Sequence, residues 1–597
     1  MPKPEATIRR SQLLTTFGPG AMLDLPRHAV LIGGLEFWSQ GGEIVQEPRL
    51  TAKLARLLQI DRLVLKSPPA AVDQPGAPIT GISVFEFPEW FIVQNDILGA
   101  HGARARRLVH KSALTNGKFL DDGRQSVPVV PVRFVRACRA GHIGDIDWYA
   151  FTHGAGDTCR RALRLEERGT SGDLTEMWVV CDCGKERSIR EAAQMENVAL
   201  GHCDGARPWL GLHARENCHE INRLLVRSAS NAYFPQLMTA ISLPERNAKV
   251  RQAVDVAWPF LETAESLEDV RRERKKSAVR EKLEDIADEE VWEELLARQH
   301  GGSAEKSVKE AELETLIRAQ ESWGEDRPEG VFFARALPEN DWRQPGMEPV
   351  KRVVLVHRLR EVVAQAGFTR FEPVGTDIEG ELDLGARRAA LSREITWLPA
   401  YENRGEGIFL QFDDAAIAAW LGRQPVQARG KLLERGFHAW KREHHSQLDF
   451  PGLVYILLHS ISHLLMTAIA LKCGYPSSAL RERIYALPSL GYGVLLYTGG
   501  PDSEGTLGGL VEVGRQIHDA MDRALRYGSL CSNDPVCAQH DPSGAPGRLF
   551  LQGAACHGCL LIAETSCELH NDFLDRALVV PTIADRDAAL CALPSLP

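Results

Sequence analysis

The sequence predicts an α+β, multidomain protein in which helices and short strands are mixed and zinc-binding cysteine modules brace the loops. Three observations carry that prediction. A chain of 597 residues is long enough for three or four domains with sizeable cores. Apolar runs at helical spacing are interspersed with short strand-like runs, with no clear internal repeat. The 13 cysteines cluster, six between 138 and 218 and five between 531 and 567, too sparse for a disulfide scaffold and grouped as metal ligands are.

The boundaries expected are an N-terminal α/β region (1–130), a first cysteine-rich zinc module (131–255), a charged helical insertion (256–330), a second α/β region (331–440) and a C-terminal zinc-binding domain (441–597). Composition is that of an ordinary soluble protein, 44% hydrophobic and 25% charged. The net charge of −10 excludes a global basic field, so any DNA contact needs a local patch or a partner that grips the DNA. MPKPEATIRRSQ lacks the apolar core of a signal peptide, and the expected location is the cytoplasm.

At the N-terminus, Arg9 and Arg10 precede a Phe-Gly-Pro-Gly corner at 17–20. Either the terminus docks back on the fold or its arginines meet phosphate or a partner. Strand-like AVLIGGLEFW and ISVFEF flank a helix expected near 50–60. The run HGARARRLVHK (101–111) is the densest basic stretch of the first half, and Arg104, Arg106 and Arg107 are its nucleic-acid candidates, against the alternative of a solvated face.

A strand through PVVPVRFVRAC then enters the first cysteine cluster: Cys138, His142, Cys159, Cys181, Cys183, Cys203 and Cys218. Cys181-Asp-Cys183, between strand-like MWVV and a Gly-Lys turn, makes a good knuckle. Seven candidates exceed the four ligands of one tetrahedral site. The expectation is at least one zinc on Cys181 and Cys183, joined by two of Cys159, Cys203, Cys218 and Cys138. Asp145 and Asp147 are the acids a catalytic zinc would need, but sites made mostly of thiolate are closed and structural.

From 260 to 325, dense mixed charge with Leu283, Ile286, Trp292, Leu295 and Leu296 at helical spacing predicts surface helices broken at Gly301-Gly302. DEEV (288–291) sits inside this charged helix and not after an apolar strand, so it is no Walker B box. NGK (116–118) has no glycine loop before it. The chain has no ATP-driven motor of its own. Residues 350–371 alternate strand-like and helical patterns, and 397–412 read as a loop entering a buried strand, whose Glu402, Arg404 and Glu406 are either active-site charges or those of a solvated loop.

The C-terminal part is the most legible. LVYILLHSISHLLMTAIALKC is apolar nearly all round, opening near Asp449 and Pro451 and closing at Gly474. It is long enough to cross a bilayer, but His459, Ser460, Ser462 and His463 at its middle favour a core helix and no membrane contact. The two histidines, four apart, share a face; Ser460 stands where an HExxH enzyme has its glutamate. They are either hydrogen-bonded core residues or the centre of a hydrolase or nuclease with the Asp502-Ser503 turn. GVLLYT is a strand, the 500–509 glycine turn lacks the Lys of a Walker A loop, and a helix through Leu510, Val513, Ile517, Met521 and Leu525 stops at Gly528. Cys531-x5-Cys537, eighteen residues, then Cys556-x2-Cys559 supplies two pairs of thiolates, the arrangement a structural zinc needs. Thr565 and Glu568 have capping-box spacing and open a closing helix through Leu578, with Cys567 as a spare thiol or core residue.

HSISHLLM, LRERIYA, GVLLYT, DSEGTLGGL, the four-cysteine loop, AACHGCLL, ETSCE and NDFLDRALV, in this order, resemble the zinc-binding domain of MrfA-type DNA-repair helicases. The opening IRRSQLLTTFGPGAMLDLP and the WLPA and GEGIFL segments resemble the DrmB family of the DISARM anti-phage system. That resemblance implies a non-motor accessory subunit that associates with a DrmA-type helicase and contributes to engaging DNA. The two cysteine clusters themselves predict zinc, two structural ions in the simplest version.

Overall fold

The computed structural model describes the chain except for residues 1–7, 26–27, 40–41, 70–80, 100–101, 195–196, 212, 245, 263, 265, 284–285, 300–306, 320–321, 328, 374–387, 445, 447, 500–507, 545–548 and 594–597. Asp502, Ser503, most of the glycine turn and the Gly301-Gly302 break therefore lie outside the described residues. Helices and several sheets are mixed as expected of an α+β protein, and the chain divides into two compact units.

The first unit comprises 1–239, 362–375 and 382–402. Its largest sheet is antiparallel, in the order Val129–Pro131, Trp90–Val93, Arg104–His110, Leu163–Glu167, Met177–Cys181 and Glu186–Ser188. A smaller sheet pairs Phe134–Ala137 with Ile143–Gly144 and with Arg223–Val226. Ile92, Leu108, Phe134, Leu165, Val179 and Trp148 pack into the core beneath them. Helix Trp148–His153 starts on Asp147, whose carboxylate accepts the Ala150 N–H at 2.9 Å, and ends at Gly154 with φ +93°. The expected helix near 50–60 is Pro48–Leu58.

The second unit comprises 240–361, 376–381 and 403–597. Its charged helices, Arg246–Leu261, Leu267–Glu273, Ser277–Arg280 and Asp288–Gln299, close on a small core of their own containing Val254, Leu261, Val270, Leu283 and Leu295. DEEV lies inside the last of them. The centre of the unit is helix Leu453–Cys473, which begins after Gly452 rather than at Asp449 and ends on Gly474 in the left-handed conformation. By length and mean hydropathy (1.8) it would cross a membrane, but 78% of that apolar window is buried inside the protein. Its neighbours are the hairpin Leu480–Leu487 and Gly491–Thr498 and the helix Ile517–Ser529.

Three expectations fail, and a fourth, one helix through Leu510 to Leu525, is divided at Gln516 into Gly509–Arg515 and Ile517–Ser529. Residues 350–369 form one unbroken strand with no helical part, because its valine-rich run is buried on both faces and so loses the alternation that marks a strand. Likewise 397–412 is strand throughout. The closing helix after Thr565 does not form. Only short 3-10 turns, Glu564–Ser566 and Arg576–Leu578, occur there, and His570, Asn571 and Phe573 adopt positive φ (54°, 66° and 57°). The Cys567 sulfur accepts the N–H groups of Leu569 and Asn571, and the Asn571 amide bonds both backbone groups of Ile562. Side chains thus take the backbone partners a helix would have used.

Candidate metal centres

The expected C-terminal ligands converge. Cys531, Cys537, Cys556 and Cys559 place their sulfurs within 4.8 Å of one another. The closest pairs are Cys531–Cys556 at 3.4 Å, Cys537–Cys559 at 3.7 Å and Cys556–Cys559 at 3.7 Å. Zn–S bonds of about 2.3 Å set tetrahedron edges of about 3.8 Å, whereas a disulfide needs about 2.05 Å. Backbone N–H groups of Asn533 and Gly558 point at the Cys531 and Cys556 sulfurs from 3.4 and 3.3 Å, the dipoles that favour thiolate. Hydrogen bonding from Cys559 pulls the Cys537 thiol down to about 6, with burial opposing and the Arg576 guanidinium assisting.

The loop is held from behind by two buried ion pairs. Asp575 accepts both forks of Arg429 (2.7 and 3.0 Å) and the N–H groups of Ala554 and Ala577 (each 3.0 Å). Arg576 bonds Asp534 in the first knuckle and the Gly528 carbonyl at 2.9 Å.

The first cluster separates into two groups rather than one site with bystanders. Cys181 and Cys183 are joined by Cys159 and by His153, not by two further cysteines. Cys159 and Cys181 lie 3.8 Å apart, and His153 Nε2 is 3.2 Å from the Cys183 sulfur. His153 Nδ1 donates to the Tyr149 carbonyl at 3.0 Å, which turns the Nε2 lone pair toward the sulfurs. Cys183 is exposed, and its thiol is pulled down to about 6, first by the Lys185 backbone N–H and then by His153.

Cys138, Cys203 and Cys218 gather instead with His142. His142 Nδ1 lies 3.3 Å from Cys138 and 3.5 Å from Cys203, and Cys138 and Cys218 are 4.0 Å apart. Nε2 of His142 donates to Glu216 at 2.6 Å, again leaving the inward nitrogen as a lone pair. Strand Phe134–Ala137 delivers Cys138, and a turn at Gly205 (φ +67°) delivers Cys203, whose sulfur accepts the Gly205 N–H at 3.3 Å. A Cβ on Gly205 would sit 1.6 Å from the Glu216 carbonyl oxygen, so only glycine fits. With donors at these edge lengths, each three-sulfur, one-nitrogen set suits tetrahedral zinc.

The other candidates fall out differently. Asp147 caps a helix, and Asp145 accepts the Glu89 N–H. Glu406 is buried and accepts the N–H groups of Gly508 and Leu510, each at 2.7 Å, so the helix start after the glycine turn already faces a carboxylate and repels phosphate. Arg106 is paired with Glu167 at 2.6 Å, and Arg107 with Asp122 at 3.2 Å; Arg10 and Arg104 are exposed, as is Arg9, whose backbone N–H bonds Gln12. His459 and His463 are wholly buried beside Glu482 and Cys567. Sequence reasoning left out His153 and Glu482. His153 had a signal, His-x5-Cys ahead of Cys159, with the spacing of Cys531-x5-Cys537. Glu482, on a strand, had none.

A family model described as a domain of unknown function (DUF8724) matches residues 9–234, which include both groups of the first cluster. A second, described as the MrfA Zn-binding domain, matches 461–560, which include the four C-terminal cysteines. A crystal structure of the DUF1998 helicase MrfA bound to DNA is 15% identical, covers 37% of this chain and 23% of its own, and has a TM-score of 0.18. DISARM protein DrmB of Bacillus paralicheniformis is 33% identical over 464 residues, 76% of this chain and 81% of that relative. By that extent of identity, the chain belongs to the DrmB family of DISARM proteins.

Proposed function

We propose that this protein is a non-motor accessory subunit of a DISARM complex that processes phage DNA, associating with a DrmA-type helicase and contributing to DNA engagement. Its three cysteine-rich groups hold structural zinc, which keeps otherwise loop-rich surfaces in one shape. The observation that carries this reading is kinship with a DISARM protein along most of the chain, in a sequence with no Walker A loop. The five segments expected from the sequence are retained as its working domains.

Of the arginine candidates, Arg10 and Arg104 are exposed and are the ones proposed to meet phosphate, because Arg106 and Arg107 already face carboxylates. The test is to co-express the chain with the helicase, purify the complex, and measure affinity for labelled DNA across a salt series. Arg10→Glu with Arg104→Glu is expected to weaken binding several-fold and to reduce the salt slope by about one to two. An unchanged slope removes the patch, and failure of the two proteins to co-purify removes the subunit reading.

A further inference from the structure

The inward-facing nitrogens of His459 and His463 pose a chemical problem. His459 Nδ1 meets the Phe573 carbonyl at 3.2 Å, and His463 Nδ1 meets the Leu560 carbonyl at 2.9 Å. A carbonyl only accepts, so each Nδ1 carries the proton, and each neutral ring presents a bare lone pair at Nε2. Both lone pairs point at acceptors. Nε2 of His459 lies 2.9 Å from Glu482 Oε1 and 3.1 Å from the Cys567 sulfur, and Nε2 of His463 lies 3.2 Å from the same Oε1.

Those acceptors are themselves prepared as anions. Glu482 receives the Glu568 N–H at 3.2 Å on Oε1 and the Ser462 hydroxyl on Oε2. The Cys567 sulfur receives the N–H groups of Leu569 (3.4 Å) and Asn571 (3.1 Å). His459 and His463 have 0% of their surface exposed, Glu482 2% and Cys567 7%.

Four donor atoms facing one another across 4.8 Å or less repel unless protons or a metal cation lie among them. Protons alone would need Glu482 and Cys567 both neutral and donating to the two Nε2 atoms, against the backbone N–H groups that favour their anions, or else two imidazoliums with ring centroids 4.6 Å apart in a buried site, an expensive pair of like charges. One divalent cation removes the conflict: two neutral imidazoles, one carboxylate and one thiolate balance a charge of +2.

We propose that His459 Nε2, His463 Nε2, Glu482 and Cys567 hold one zinc ion in a closed four-coordinate site, separate from the three cysteine-rich groups. Nitrogen and thiolate donors select zinc over magnesium or calcium, and a full set of buried protein ligands leaves no open position for substrate. The backbone carbonyls on both Nδ1 atoms are the outer partners that metal-bound histidines use. The ion clamps the central helix (Leu453–Cys473) to strand Leu480–Leu487 and to the segment around Cys567, replacing the helix that fails to form there.

Anomalous diffraction from crystals of the zinc-replete full chain, collected on both sides of the zinc absorption edge, tests this. A peak is expected about 2.0–2.3 Å from each of the four donor atoms. Its absence overturns the proposal. Native mass spectrometry gives a second reading: Cys567→Ala should carry one zinc fewer per chain than the wild type, and an unchanged count refutes the site. Should that variant fail to fold, the diffraction experiment on the wild type decides alone.

Discussion

Replacing Asp575 by alanine removes the acceptor on which the back of the C-terminal cysteine loop rests. Its carboxylate is wholly buried and accepts four N–H donors, two from Arg429 and one each from Ala554 and Ala577. Counted singly, two charge-assisted bonds and two orphaned backbone donors would sum to roughly 5–12 kcal/mol. Bonds sharing one acceptor are not additive, and the better guide is the cost of leaving one buried partner unpaired, about 3–5 kcal/mol. The Arg429 side chain is only 9% exposed, so water cannot readily take over the role of the carboxylate. Ala554 stands two residues before Cys556, so the loss is felt at the metal loop.

Hydrogen-exchange mass spectrometry of the 551–578 segment measures this directly, since the amides there report their own opening. At about 1.4 kcal/mol per tenfold change, protection should fall roughly 10²- to 10⁴-fold in Asp575→Ala. Asp575→Asn with Arg429→Met, which leaves no unpaired charge, should cost clearly less than the two single changes added together. Additivity within about 0.5 kcal/mol would show that the pair is not coupled, and the reasoning would fail.

Two further outcomes follow from the first unit. Gly205→Ala places a methyl against the Glu216 carbonyl in a left-handed turn, so it should cost about 3 kcal/mol or more and remove one metal per chain, from the Cys138, His142, Cys203 and Cys218 group. Full metal content with unchanged melting would contradict that. Burial, opposed by the Glu89 N–H, pushes the Asp145 carboxyl up to about 6 from an ordinary 3.8. The folded state then holds this proton more tightly than the unfolded chain does, so its contribution to stability is complete below about pH 4 and is lost as the pH rises through 6. Asp145→Asn should abolish that loss. Urea midpoints of wild type and variant measured from pH 4 to 7 should diverge, and parallel curves would dismiss the shift.

What the sequence made legible follows the range of the interactions. Cys531, Cys537, Cys556 and Cys559 were readable because each pair lies on one tight turn, where spacing alone sets the geometry. The first cluster defied that logic. Cys138 and Cys218 are 80 positions apart, and the pairing of Phe134–Ala137 with Arg223–Val226 brings their neighbourhoods together. Strand register, not local spacing, decides who joins whom, and it assigns His153 to one group and His142 to the other. The same limit hid Glu482: its carboxylate matters because the Leu480–Leu487 strand lies along the central helix, a contact no local pattern encodes. The missing helix after Thr565 carries the argument further. The capping-box spacing there is genuine, but Glu568 is used elsewhere, accepting Lys309 Nζ at 2.9 Å and the Ile484 N–H at 3.2 Å, while Cys567 engages the backbone of Leu569 and Asn571. Local propensity was outbid by buried polar partners, each of which would pay a desolvation penalty if left unmet. Segments where a strong local signal loses in this way are the places to look for a bound ion, and 564–578 is the clearest such segment among the described residues.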